Sequence, residues 1–369
     1  MGRLLGEWGR VRLLTVVLAL LGVQLGSLVA PAYACGCGAM IPGARQQVGV
    51  DREESVVRWD GRQEQIVMSL TVGGDADKAA WIMPVPHRAT VKLGDPELFT
   101  RLRAATAPVH RDRYHFWPQD GDWPLVTGED SGAQLPGAGA PQGVGVVGRQ
   151  KLGPFDVARL TATDPAALDG WLHSHGFVLP DRLKDALQPY VDQRWEYVAV
   201  RLAPDRAGTP LTGTLDPLHL TFAAGAPVYP MRLSRLARTP QSLGLYVLAA
   251  HRMETSSAIG GERPRVTYAG RVGTHQGPLS ALAKGAPYLT AIGQEFPRPS
   301  SISGDHRLRR ASSDAPFEQV VYDDHLRTVA GLPAWLLTVV GTLAVLVTGL
   351  AVFALRRSGR PEPAHTGVR

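Results

Sequence analysis

SVVRWDGRQEQIVMSLTV, residues 55–72, is the stretch that decides the fold. Ser55 to Trp59 is rich in β-formers, Asp60-Gly61 supplies the positive φ angles of a tight type I′ turn, and Ile66, Met68, Leu70 and Val72 alternate on the returning strand. Alternation with a period of two buries one face of a strand, so the stretch reads as a half-buried antiparallel hairpin. Gly73-Gly74-Asp75-Ala76-Asp77 then reads as a turn and Lys78 to Val85 as another extended segment. Pro84 and Pro86 withhold ladder donors, so Trp81 to Pro86 is expected to leave the sheet at an edge.

Further along, Phe155 to Thr161 reads as strand. Asp164-Pro165 opens a helix that places Leu168, Trp171 and Leu172 on one face and stops at Gly176. A second helix, Asp181 to Asp192, repeats the pattern with Leu183, Ala186, Leu187 and Tyr190. Strands are expected again at Trp195 to Leu202, Leu218 to Phe222, Leu245 to Met253 and Arg265 to Val272. Runs of strands around a helical pair predict an α+β fold with a mostly antiparallel sheet. Pro118 to Gly143 reads as a long surface loop. Gly143-Val144-Gly145-Val146-Val147-Gly148 matches a dinucleotide-loop spacing without the strand before it or the helix after it.

Ala80-Trp81-Ile82-Met83-Pro84-Val85-Pro86 behind a Gly/Asp turn, a Leu-Phe segment at Glu97 to Leu102, and Gly153-Pro154-Phe155-Asp156-Val157 carry a family likeness. Trp171-Leu172, Trp195-Glu196-Tyr197-Val198-Ala199-Val200 and Pro227-Val228-Tyr229-Pro230 extend it. With the secreted Cys-containing start, the segment from Cys35 to about Val272 resembles the bacterial domain-of-unknown-function family 2330. That resemblance implies an extracytoplasmic, commonly membrane-attached protein and brings no catalytic residue with it.

The two ends of the chain carry most of its net charge of +6. Three of 39 basic and one of 33 acidic residues precede Cys35, four and one follow Gly331, and the 297 residues between hold 32 and 31. A middle so nearly neutral argues against a nucleic-acid partner. Residues 1–34 have the parts of a signal peptide: Arg3, Arg10 and Arg12, an apolar run from Leu13 to Ala30, and Ala32-Tyr33-Ala34 at the cleavage site. The run is long for a signal, so an uncleaved anchor is the alternative, with Gln24 and Gly26 against it. Leu332 to Leu355 is 24 residues without a charge, followed by Arg356-Arg357. As a helix it spans roughly 36 Å at ~1.5 Å per residue, enough to cross a bilayer. The arginines put the tail, 356–369, in the cytoplasm and the bulk of the chain outside the cell membrane, as a single-pass type I protein. Residues 295–331, rich in Pro, Ser and Arg, read as a flexible juxtamembrane stalk, which leaves 35–294 as the extracytoplasmic domain.

Both cysteines lie in Cys35-Gly36-Cys37-Gly38. They form a candidate thiol pair with three open readings. These are a strained local disulfide or structural thiols, half of a zinc site lacking its other ligands, and a redox pair. His173 and His175 are about 200° apart around a helix and do not face one ligand. His110 and His115 bracket a polar-aromatic cluster ahead of Phe116-Trp117, and His219 and His251 fall in expected strands. Glu53-Glu54 and Asp323-Asp324 read as solvated surface. No catalytic constellation or cofactor motif is evident. The leading expectation is a noncatalytic binding or scaffold protein of the bacterial cell envelope, with a protein, glycan or small-molecule ligand. The alternative is an envelope enzyme or a metal or redox protein using Cys35 and Cys37.

Overall fold

In the computed structural model the hairpin is longer than residues 55–72: strand Val48–Trp59 pairs antiparallel with Gln63–Gly74. The structure describes residues 34–35, 37–44, 46–119, 156–161, 165–202, 209–237, 239–273 and 277–358. The expected signal peptide up to residue 33, the glycine run at 143–148 and most of the expected loop and tail therefore lie outside the described residues. At the hairpin turn Asp60 Oδ1 accepts the N–H groups of Arg62 and Gln63 at 3.1 and 2.9 Å. Gly61 has φ +99°, whereas Arg62 is not in the left-handed region. A type I′ turn needs positive φ at both central residues, so this is a one-glycine turn of the II′ kind instead.

The register slips at Asp51, an extra residue between Val50 and Arg52. Val50 stands opposite Val72 and Glu53 opposite Leu70, so the bulge turns Glu53, Ser55 and Val57 onto the face that Ile66, Met68, Leu70 and Val72 share. Val56 and Val67 face the other way, into a smaller cluster with Leu98, Phe99 and Leu102 of the helix Glu97–Ala105. The hairpin is the middle of a nine-stranded sheet. On one side Gln241–Ala249 joins Val48–Trp59 in parallel, and on the other Leu218–Ala223 joins Gln63–Gly74 antiparallel.

A five-stranded sheet includes Gly38–Pro42, Ala79–Val85, Glu196–Leu202 and Asp156–Thr161. Here the sequence expectation is corrected, because Ala79–Val85 is an inner strand with every residue buried. Pro84 lies past Ile82, where pairing with Gly38–Pro42 ends, and its paired residue is Tyr197. With a ladder on one flank only, a proline is tolerated. Helices Pro165–Ser174 and Asp181–Asp192 stand where the periodicity put them. Leu168, Leu172, Leu183, Leu187 and Tyr190 join one apolar cluster with Ile41, Ile82 and Ala199 of this sheet.

The fold is thus mostly β-sheet with several helices, and among the described residues the strand pairs are antiparallel apart from two parallel ones. The stalk expected at 295–331 is also corrected. Tyr288–Phe296 and His306–Arg310 are strands whose residues Phe296, His306 and Leu308 are buried, and Phe317–Glu318 adds to the large sheet. His306–Arg310 and Phe317–Glu318 are five and two residues long, too short to carry the apolar periodicity that marks longer strands.

By contact, Met1–Ala107 with Val146–Gln319 forms one unit, and Pro108–Gly145 with Val320–Arg369 forms another. The second contains Val109–His115 and Val320–Leu326 paired in parallel, then the helix Ala334–Ser358. That helix is long and apolar enough to cross a membrane.

Candidate functional site

Three carboxylates of the first unit converge on one short segment, Val228 to Arg232. Glu64 belongs to the same alternating series as Ile66 and Met68, one step earlier, and is fully buried. Its two oxygens take the backbone N–H of Val228 at 3.3 and 3.1 Å. Glu53 receives the hydroxyl of Tyr229, which also contacts Ser55 Oγ at 2.6 Å. Asp305 accepts from Tyr190 Oη at 2.6 Å, from the N–H groups of Met231 and Arg232 at 2.9 and 3.1 Å, and from Arg232 Nε at 2.8 Å. Each orphan donor in this segment thereby finds an acceptor inside the core.

Burial sets the electrostatics. Desolvation pushes Glu53 up from the ordinary 4.5, against hydrogen bonds from Tyr229, from the thiol and backbone of Cys37, and from Ser55. Desolvation raises Glu64 well above the same value, opposed only by Val228 N–H. Tyr229 is likewise raised, by burial first. The expectation that Glu53-Glu54 is solvated surface is therefore wrong: Glu53 is 4% and Glu54 9% exposed, and Glu54 pairs with Arg103 at 2.7 Å. The bulge at Asp51 is what sequence reading missed, since no residue pattern announces it. Glu53 and Glu64 do not work as an acid/base couple. The first stands opposite Leu70. The second is six residues further back on that strand, roughly 20 Å at ~3.3 Å per residue.

His306 lies beside the same segment, opposite Tyr229 in the ladder. Gln294 Nε2 donates to the carbonyls of Gly260 and Glu262 at 3.0 and 2.7 Å, so its Oε1 must accept from His306 Nε2 at 2.7 Å. Burial pushes this imidazole down to about 4 and keeps it neutral at pH 7.

Cys37 is 1% exposed, with its Sγ 3.8 Å from Met68 Sδ and its thiol against Glu53. Cys35 pairs through its backbone with Gly38, and its side chain is outside the described part. Gly38 allows this corner to close, since a Cβ there would meet the Ile82 carbonyl at 2.6 Å. Among the described residues, no three of His, Cys, Asp and Glu gather as a metal site. His175 stacks on Trp171 at 4.4 Å, while His173 points into solvent. His219 meets Gln65 at 3.0 Å and is held down to about 4 by desolvation, and His251 pairs with Asp314 at 2.7 Å.

A second feature is concave. Leu168, Leu179, Leu187, Val191 and Tyr197 line a cavity of about 280 Å³, with Asp169, Lys184 and Gln188 as its polar groups. An apolar lining with a few polar groups is the common make-up of small-ligand pockets, and this volume lies near their lower limit.

A profile described as "Uncharacterized protein conserved in bacteria (DUF2330)" matches residues 31–309. The chain belongs to this family. The DUF2330 match takes in the three carboxylates, the Val228–Arg232 segment and the concave feature. No curated protein matches the chain. Among solved structures, the crystal structure of baculovirus P35 aligns over 74% of this chain and 97% of that one, with 9% identity and a TM-score of 0.28.

Proposed function

We propose that this DUF2330 protein is a membrane-anchored, extracytoplasmic binding or scaffold protein of the bacterial cell envelope. One observation carries the reading: the most apolar 18 residues of the helix Ala334–Arg357 have a mean hydropathy of 2.4 and none of them is buried against protein. A row of bare leucines and valines of that length matches a hydrocarbon core. Arg356 and Arg357 close it, as the cytoplasmic end of a span would. The signal-like start sends the intervening chain outward.

In this reading the helices Pro165–Ser174 and Asp181–Asp192 pack as a pair, and the cavity of about 280 Å³ that both line is the seat for a small ligand. Protease added to spheroplasts carrying the full chain should digest everything outside the membrane and spare an epitope on the tail. A protected domain would overturn the orientation, and full release by carbonate washing would overturn the anchor.

A second reading, metal or thiol chemistry at Cys35 and Cys37, draws on the contact between Cys37 and Glu53. Stoichiometric zinc or copper on the purified full chain, lost on Cys37→Ser, would favour it over the first.

A further inference from the structure

In the second unit, Val109–His115 and Val320–Leu326 run in register from Val109 opposite Val320 to His115 opposite Leu326, so both strands reach the same end. That end is tied to the apolar helix by backbone hydrogen bonds. Arg327 N–H donates to the His115 carbonyl at 2.9 Å, and Ala334 N–H, at the first helical residue, donates to the Arg327 carbonyl at 2.9 Å. Between these links Thr328–Val329 pairs with Leu332–Pro333. Ala330 and Gly331 turn the chain there with φ +51° and +81°, the signs a type I′ turn requires. The strand end and the helix start are therefore one piece of hydrogen-bonded structure, and Phe116 and Trp117 follow His115 directly.

The chemistry changes along this ribbon. Its length is polar: Arg113 grips Asp324 at 2.6 and 2.8 Å, His110 meets Asp323 at 3.0 Å, and His325 meets Asp112 at 3.2 Å. Its end is not. Trp117 is 62%, Val329 53% and Leu332 50% exposed, and Phe116 stands edge-on to Trp117 at 5.2 Å. After Arg327 no charged residue occurs until Arg356. Bare aromatics at the mouth of an apolar helix fit one environment well, the boundary between lipid headgroups and acyl chains.

We propose that this end of the ribbon is a lipid-docking surface. Phe116 and Trp117, with Val329 and Leu332, seat in the bilayer interface around the point where the helix enters. The proposal rests on the reading that Ala334–Arg357 spans the membrane. It goes beyond that reading by making the connection a short docked ribbon, which fixes how the strands meet the membrane.

The test uses the full chain in vesicles of phosphatidylcholine and phosphatidylglycerol, with benzoylphenylalanine in place of Trp117, Leu346 or Val178 in turn. Leu346 reports the span and Val178, 70% exposed in the first unit, reports background. After illumination, lipid adducts are expected at positions 346 and 117, each several-fold above position 178. Lipid at 346 with none at 117, or with 117 joined to protein instead, overturns the dock and leaves the span intact. No lipid at 346 removes the span and the dock together.

Discussion

The hydroxyl of Tyr229 donates to the carboxyl of Glu53 with both groups sealed from solvent, so a buried acid accepts a buried phenol inside the main core. Tyr229→Phe removes the donor and keeps the ring. Leaving a buried polar group short of a partner costs about 1–3 kcal/mol. The expected result is a loss of that size in denaturant unfolding of the full chain in detergent. A loss below a few tenths would mean that Ser55 and Cys37 suffice for Glu53.

The buried ionisable groups give a pH dependence whose sign can be worked out. Glu53 and Glu64 have raised folded-state pKa values, so between the ordinary 4.5 and those values the folded chain holds more protons than the unfolded one. Stability from these groups is intact below that window and falls as pH rises through it. His219 and His306, lowered to about 4, act oppositely, adding stability as pH climbs from about 4 to 6.5. Above 6.5 the histidine contribution is complete. Glu64→Gln, which keeps an acceptor for Val228 N–H, should therefore have a melting temperature that gains on that of the unchanged chain as pH rises above 4.5. An unchanged slope would show that Glu64 is not the acid responsible.

What the sequence discloses tracks how local the cause is. The helix Asp181–Asp192 and its buried face of Leu183, Ala186, Leu187 and Tyr190 follow from spacing within twelve residues. The alternation of Ile66 to Val72 does too, and extending it by one step reaches Glu64. Burial of Glu53 depends on a bulge at Asp51 and on Tyr229, 176 residues away. The Asp305 cluster joins residues 73 to 115 positions apart. Such contacts are set by sheet order, which local pattern does not encode, and short strands such as His306–Arg310 pass for linker until a partner is known.

If the cavity beside Asp181–Asp192 is a ligand seat, filling it should abolish retention of any small molecule. Val191 lines the cavity and is only partly buried, so Val191→Trp adds bulk there with little core disruption. Native mass spectra of the full chain in nanodiscs should show a bound mass that the variant lacks. The same bound mass on the variant would place the ligand elsewhere.

Deleting Asp51 tests the bulge itself. Without the extra residue the two halves of the strand join in one regular register, with Val50 still opposite Val72, Arg52 opposite Thr71 and Glu53 opposite Leu70. Val48 and Val50, in the core at 4% and 8% exposure, therefore keep their face, and Arg52 keeps its place opposite Thr71. The deletion should therefore retain cooperative unfolding by circular dichroism, and so should Asp51→Gly, because glycine is at home in a bulge. Loss of cooperative unfolding in the deletion variant would mean that the strand needs the bend of the bulge and not only the pairing on either side of it.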